Sequence, residues 1–211
     1  HGESSGDFAA VGTIGRWRGD ALAVIDRLTE GPLVLVGSSM GGWLACLAAL
    51  ARPERIAGLI LIAPAADFTE KLMRPGLPPE AHTALAAEGV WNRPSAYGDG
   101  DYPITAALLD EGRRWSILDG PVEIAGPVRI LQGGADPDVP WRHALALAEA
   151  LTGEDMVFTL IRDGALELHA DVAEQDLLRI EPGHAAAPAT VALGAEAPWP
   201  LARAWHRLPP S

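Results

Sequence analysis

A glycine-flanked pair of serines separates a short apolar segment from a longer one. In "LVLVGSSMGGWLACLAALA", residues 33–51, four apolar residues run into "GSSMG", and an almost wholly apolar stretch follows. A short apolar run bounded by turn residues is typical of a buried parallel strand. The longer stretch is typical of a helix that is buried all round. The five central residues fit the pattern G-x-S-x-G, so the sequence predicts a serine on a tight turn between a buried strand and a buried helix.

The same alternation of strand and helix continues along the chain. A first helix is predicted after Thr13, which is a suitable N-cap, because apolar residues recur at steps of three and four up to Leu28. Strands are predicted at Leu33–Val36, Ile56–Ile62, Val128–Leu131 and Met156–Ile161, with helices at Met40–Ala51 and Trp141–Leu151. This order predicts an α/β fold, a mostly parallel sheet with helices on both faces. At 211 residues, one domain over 1–211 is expected.

Two segments interrupt this alternation. Residues 68–126 contain many prolines among short helical patterns, and we interpret them as an insertion between two strands. Residues 182–211 are rich in alanine and proline and show little periodicity, so they are predicted to be a poorly ordered tail.

Composition excludes several classes of function. A net charge of -12 argues against a nucleic-acid partner, because phosphate binding needs a basic surface. The sequence has no apolar run near the length of a membrane span. Its single cysteine and the absence of a signal-peptide pattern at residues 1–20 favour a cytoplasmic location. The six histidines lack metal-ligand spacing, so neither a metal nor another cofactor is predicted. Composition does not indicate the oligomeric state.

Ser39 is the candidate nucleophile. At the carboxyl end of a strand and at the positive end of the next helix, its hydroxyl would project above the sheet. The backbone amide of Met40 would then face the oxyanion that forms when the serine attacks a carbonyl group. The alternative is an ordinary Gly/Ser turn, because G-x-S-x-G alone is a common pattern.

A catalytic serine needs a base and an acid that orients it, and in this kind of sheet the order along the chain is Ser, Asp, His. Asp136 lies in "QGGADPDVPW", in a loop that opens from the carboxyl end of a predicted strand. The alternative is an aspartate that only stabilises a turn or caps a helix, and Asp138 is a second candidate in the same loop.

Three segments carry a closer resemblance. "GSSMGGWLACLAALARPERIAGLILIAPAAD", "GVWNRPSAY" and "LQGGADPDVPW" resemble the branch of the α/β-hydrolase superfamily that includes mitochondrial acyl-protein thioesterases, also described as acyl-glucuronide esterases, and their bacterial relatives. The likeness extends over about residues 1–164. It implies a serine hydrolase of esters or thioesters, with Ser39 as the nucleophile and Asp136 as the acid. It also implies that residues 68–126 form a lid over the acyl pocket. Trp91 and Trp115 are the candidate substrate-binding residues of this segment, and the alternative is that both are packing residues.

The base is the point at which this sequence departs from the family pattern. There the last strand is followed at once by Asp-His-Arg, whereas here "LIRDG" continues as "ALELHADV", which places Leu166 at the histidine's position. His169 is the nearest surrogate, and a solvent-exposed histidine is the alternative. A shift of three residues moves a side chain by about 10 Å along an extended chain, so we expect His169 to miss the site.

The beginning of the chain departs from the pattern as well. By the resemblance, the first strands of the sheet and the loop that carries the second oxyanion amide would lie upstream of His1, and "HGESSG" is not that loop. We therefore expect an N-terminally truncated hydrolase whose strand Leu33–Val36 has a bare edge. Two functions stay open: a serine esterase or thioesterase, and an inactive hydrolase-fold fragment that at most binds an acyl ligand or a partner.

Overall fold

The computed structural model describes residues 6–94, 101–161 and 190–194. The helices of these residues are α1 (Phe8–Val11), α2 (Ile14–Leu28), α3 (Met40–Ala51), α4 (Pro79–Glu88), α5 (Ala106–Gly112) and α6 (Trp141–Ala150). The strands are β1 (Leu33–Ser38), β2 (Ile56–Ile62), β3 (Val90–Arg93), β4 (Tyr102–Thr105), β5 (Val128–Gly133), β6 (Met156–Ile161) and β7 (Thr190–Gly194). Each strand and helix predicted above lies within one residue or two of an observed one, and Thr13 caps α2 by accepting a hydrogen bond from the Arg16 amide.

The main sheet has five strands in the order β6-β5-β2-β1-β7. The four strands predicted from the sequence are parallel to one another, and β7 pairs antiparallel with β1. The parallel arrangement brings the carboxyl ends of β1, β2 and β5 to one edge of the sheet, where the loops that follow them meet. The fold class predicted from the sequence, a mostly parallel α/β sheet with helices, is confirmed.

The edge of β1 is not bare in this structure, contrary to expectation. Residues 190–194 occupy it, in register from Leu33 opposite Gly194 to Gly37 opposite Thr190. These residues belong to the tail that was predicted to be poorly ordered; the rest of that tail lies outside the described residues. The antiparallel strand satisfies the backbone groups of β1 that would otherwise face solvent.

The core lies between the sheet and the helices packed on it. Helix α3 is almost completely buried, as its uniformly apolar sequence predicted, and Trp43 is fully buried at its centre. Leu35, Leu59 and Ile130 from adjacent strands belong to the same cluster. Burial of such side chains stabilises the fold by about 1.5–3 kcal/mol each, and it fixes β1 and α3 against each other on either side of the serine turn.

The segment 68–126 is more varied than its predicted short helices. It begins with a π-helical turn over Thr69–Met73 and a 3-10 turn over Arg74–Gly76, and it contains α4 and α5. Between these two helices, β3 and β4 form a two-stranded antiparallel sheet that the sequence analysis did not predict. Both strands are only four residues long and one includes a proline. The alternation of apolar and polar residues in them is therefore too short to predict a strand.

Candidate active site

Ser39 lies where predicted, at the turn between β1 and α3. Its backbone has φ 52° and ψ -121°, and it is one of three non-glycine residues with positive φ in the described part of the chain. Such a conformation costs about 1–3 kcal/mol and persists only where the surroundings enforce it. Here they do, because the Ser39 amide donates to the Ile62 carbonyl at 2.9 Å and the Ser39 carbonyl accepts from the Ala65 amide at 3.0 Å.

The glycines that flank the serine are required by close approach of the backbone. A Cβ at position 37 would lie 2.3 Å from the carbonyl oxygen of Gly41, and a Cβ at position 42 would lie 2.8 Å from the Cβ of Pro64. Both distances are far below van der Waals contact. The strand, the helix and the loop after β2 therefore converge on Ser39, which explains why small residues surround it.

Met40 is the first residue of α3. Its amide is one of those that a helix leaves without an intrahelical acceptor, and it lies at the positive end of the helix. The Met40 side chain lines the same cavity as Ser39. This is the placement that an oxyanion donor needs, and its role as donor stays a prediction.

The cavity beside Ser39 has a volume of about 490 Å³. The residues that line it are mostly apolar and come from the serine turn, the loop after β2, the segment 68–126 and the loop after β5. Phe68, Leu72 and Leu77 contribute to it from the start of the segment, and Trp91 and Ile104 from the β3–β4 sheet. The segment 68–126 therefore lies on the Ser39 side of the fold. A function as a moving lid stays a prediction.

Trp91 and Trp115, the two predicted substrate-binding residues, have different surroundings. Trp91 lines the cavity, whereas Trp115 is not among the lining residues of the described chain. The Trp115 indole donates to the Glu111 carboxylate, and the Arg18 guanidinium lies over its ring at 4.6 Å from the centroid. Its backbone carbonyl accepts from the Trp43 indole at 3.2 Å. These contacts make Trp115 a packing residue between α3, α2 and the segment, which is why we do not retain it as a substrate contact.

Asp136 follows β5, as predicted, and its Oδ1 accepts from the amides of Asp138 and Val139, both at 2.9 Å. This is a local turn of the kind that aspartate side chains commonly stabilise. Within the described residues Oδ2 makes no hydrogen bond, so that oxygen is the one with which Asp136 would orient a histidine. Asp138, and not Asp136, is a lining residue of the cavity, so the choice between the two carboxylates stays open.

The buried Gln132 holds the acid loop, and sequence analysis did not identify it. Its Nε2 donates to the Val139 carbonyl at 3.0 Å from across the loop. No signal in the sequence distinguishes this glutamine from an ordinary polar residue at a strand end. Its effect is to close residues 133–139 into one compact turn that borders the cavity.

Asp67 is a second residue that the sequence analysis passed over. It is fully buried, has φ 55°, and its carboxylate accepts from the amides of Ile117 and Leu118 at 2.8–3.0 Å. Burial raises the pKa of this carboxyl group, while the two amides act in the opposite direction. Asp67 thus connects the loop after β2, which supports Ser39, to the end of the inserted segment.

The histidines were expected to decide whether a base is present. His143 lies on α6 and donates from Nε2 to the Ala66 carbonyl at 2.7 Å. Burial lowers its pKa, so the neutral imidazole is favoured. His169 and Leu166 lie outside the described residues. The base therefore stays a prediction from the sequence.

Within the described residues no group of three or more His, Cys, Asp or Glu side chains is placed to hold a metal ion. No described helix is long and apolar enough to cross a membrane. Cys46 is fully buried on α3, and burial raises the pKa of its thiol to about 12. A thiol in that state is a weak nucleophile, so Cys46 is an inert residue of the core.

A parallel sheet with a strained serine at the strand-to-helix turn and a cavity above it defines a class of proteins, the α/β-hydrolases. Comparison with known proteins agrees: a family model described as serine aminopeptidase, S33, matches residues 1–93. A putative hydrolase from Agrobacterium vitis S4 has a sequence 44% identical to that of this chain, and the two structures superpose with a TM-score of 0.74. The match covers 78% of this chain and 65% of the hydrolase. The chain has the α/β-hydrolase fold.

Within the superfamily, the chain is similar to a mitochondrial palmitoyl-protein thioesterase, ABHD10. The mouse protein is 38% identical over 164 residues, which are 77% of this chain and 54% of the relative. Its solved structure has a TM-score of 0.68 and covers 77% of this chain and 65% of that one. A lipase of Mycobacterium tuberculosis, LipV, is 34% identical over 121 residues, 53% of this chain and 43% of the lipase. The chain spans about half the length of the curated relatives that it matches.

Proposed function

We propose that this chain is a hydrolase of carboxylic esters or thioesters that uses Ser39 as its nucleophile. The observation that carries the proposal is the strained Ser39 at the wall of a cavity of about 490 Å³ lined mostly by apolar side chains. An acyl chain fits such a lining, and the serine at its wall is in the position to attack a carbonyl group. The thioesterase and lipase names of the relatives support the same chemistry.

In this mechanism the Ser39 Oγ attacks the carbonyl carbon while a histidine accepts its proton. The Met40 amide donates to the oxyanion of the tetrahedral intermediate, which collapses to an acyl-serine as the protonated histidine gives its proton to the departing alcohol or thiol. Water then attacks the acyl-serine with the same histidine as the base. The bond from the acyl carbon to Ser39 Oγ breaks, the histidine returns its proton to Oγ, and the carboxylic acid leaves. His169 is the proposed base, which requires the chain after Gly164 to bring its ring to Ser39 against the expectation from its spacing to Leu166. Asp136 orients it in the correct tautomer, and Trp91 contacts the acyl group.

The substrate proposed here is the acyl group of a small ester or thioester, or one carried on a protein as in the relatives' name. A cytoplasmic location remains a proposal from the sequence alone, and the relatives quoted above are mitochondrial by name. The segment 68–126 is proposed to cover the bound acyl chain.

An inactive hydrolase fold is the second candidate, because Leu166 occupies the position at which the family pattern has histidine. Loss of the histidine of a triad costs about a million-fold in turnover, by analogy with subtilisin. The two candidates differ in what His169 does, so one set of variants separates them.

The test measures hydrolysis of an octanoyl thioester by the wild-type chain and by five variants. If the proposal holds, Ser39→Ala and His169→Ala both abolish turnover, and Asp136→Asn lowers it far more than Asp138→Asn. Turnover that is undetectable in the wild type and appears in Leu166→His identifies the chain as an inactive member of the superfamily. Turnover that survives Ser39→Ala contradicts the mechanism.

A further inference from the structure

The β3–β4 sheet presents one continuous face to the cavity. Trp91 pairs with Ile104, and Arg93 pairs with Tyr102. Because side chains two residues apart in a strand project to the same face, these four residues share a face, and all four line the cavity beside Ser39. The cavity wall therefore changes from apolar to polar in one step of about 7 Å along the strands.

Solvent exposure increases in the same direction, from the Trp91–Ile104 pair to the Arg93–Tyr102 pair. Ile104 is almost fully buried, whereas Tyr102 is about half exposed and Arg93 is exposed. The Trp91–Ile104 pair thus lies in the interior of the cavity and the Arg93–Tyr102 pair at its opening. Burial raises the pKa of the Tyr102 hydroxyl, so this group stays protonated and can donate a hydrogen bond.

Arg93 is the only cationic residue that lines the cavity in the described part of the chain. No hydrogen bond or ion pair within that part of the chain involves its guanidinium. The other charged residue in the lining, Asp138, lies in the loop after β5 on the side of the sheet. On a chain of net charge -12, a guanidinium without an ion-pair partner among the described residues is a site that attracts an anionic ligand group.

We propose that Arg93 is a specificity residue that selects esters or thioesters with a carboxylate at the end remote from the scissile carbonyl. The apolar part of such a substrate lies against Trp91 and Ile104, and its carboxylate accepts from Arg93 and Tyr102. Asp138, the other charged residue of the lining, disfavours a carboxylate beside itself. The reacting carbonyl is thereby directed to Ser39. This inference rests on the proposed function, because it names the substrate class of the same cavity.

Binding tests the inference without relying on turnover. Calorimetry on the Ser39→Ala chain compares the monomethyl and dimethyl esters of decanedioic acid, which differ in one charge. We expect the monomethyl ester to bind about three- to tenfold more tightly, as a partly exposed charged hydrogen bond implies. Arg93→Gln removes this preference. Arg27→Gln, the same change on the exposed surface of α2, leaves it intact.

A second pair of ligands locates the carboxylate. The acetate ester of an ω-hydroxydecanoate carries the charge on the alcohol side, and its methyl ester is the neutral partner. A preference in either pair that depends on Arg93 supports the proposal and states which side faces the arginine. Equal binding of the charged and neutral esters, or a preference that survives Arg93→Gln, overturns it. If none of the four esters binds, the proposed function fails together with it.

Discussion

At the scale of single residues, the central feature is the backbone of Ser39. Its φ of 52° is enforced by hydrogen bonds to Ile62 and Ala65, and its side chain makes no capping bond to the helix that it begins. The fold therefore maintains an unfavourable backbone conformation at Ser39 that is not compensated by a helix cap. Strain of this kind is common at functional sites and is rarely retained elsewhere.

We predict that Ser39→Gly stabilises the chain. Relief of the strain raises the free energy of unfolding by about 1–3 kcal/mol. The larger conformational entropy of glycine in the unfolded chain lowers it by about 0.5–1 kcal/mol. The net gain, about 1 kcal/mol, is measured by urea unfolding. Ser38→Gly is the matched control: Ser38 has no positive φ, so this variant loses stability. A loss for Ser39→Gly as large as for Ser38→Gly would show that the turn is not strained.

The residue scale is also where prediction from the sequence was least complete. The position of Ser39 followed from G-x-S-x-G between two apolar segments, because that pattern specifies both the turn and its neighbours. Asp67 and Gln132 gave no such signal, since their importance arises from bonds to Ile117, Leu118 and Val139 that are distant in sequence or specific to one loop. The position of Arg93 at the cavity could not be predicted for the same reason, because its neighbour Tyr102 lies on another strand.

At the scale of elements, the contact between β1 and α3 decides whether the serine turn can form. The two elements approach so closely at Gly37 that no other side chain fits beside the Gly41 carbonyl. Gly37 does not have a positive φ, so the restriction is one of space and not of backbone conformation.

Gly37→Ala should therefore destabilise the fold by about 1–3 kcal/mol, the usual cost of overpacking. Gly19→Ala is the control, because a Cβ at that helical position meets no atom within 4 Å. There the higher helix propensity of alanine should add about 0.5–1 kcal/mol. Thermal unfolding of both variants provides the comparison, and equal stabilities would contradict the close approach.

Helix α6 is fastened to the loop after β2 by the bond from His143 to the Ala66 carbonyl. The pKa of His143 is lowered from 6.5 by burial. Below about pH 6.5 the unfolded chain therefore binds more protons than the folded chain does. The free energy of unfolding decreases as the pH falls through this range. This contribution is fully present above that pH.

His143→Gln keeps an N–H donor for Ala66 but cannot titrate. We expect its stability to fall less than that of the wild type between pH 7.5 and pH 5, in unfolding experiments at matched ionic strength. His82→Gln, an exposed substitution on α4, should retain the wild-type dependence. Parallel pH profiles for the wild type and His143→Gln would exclude His143 as the source of the effect.

The elements themselves were largely predictable. Strands β1, β2, β5 and β6 are short, apolar and bounded by turn residues, and helix α2 has a cap and an apolar stripe, so local sequence was sufficient. Strands β3 and β4 were not predicted, because they are stabilised by pairing with each other and not by a pattern in either one. Strand β7 lies in an Ala/Pro-rich region without a strand pattern. It was not predicted because its pairing with β1 is not visible in the local sequence.

At the scale of the whole molecule, the sheet and the inserted segment are joined through buried aromatic contacts. The Trp43 indole donates to the Trp115 carbonyl, and its ring meets Phe68 edge to face with centroids 5.7 Å apart. Phe68 in turn lines the cavity beside Ser39. Helix α3 and the cavity wall are thus parts of one packed unit, which holds the cavity in place beside Ser39.

The most direct test of the central claim, that Ser39 is a catalytic nucleophile, is covalent labelling. The chain is treated with a fluorophosphonate reagent, and the modified peptide is identified by mass spectrometry. The account predicts a single adduct on Ser39 that is lost in Ser39→Ala and retained in Ser38→Ala. An adduct on Ser38 or on any other residue, or no adduct at all, would contradict it.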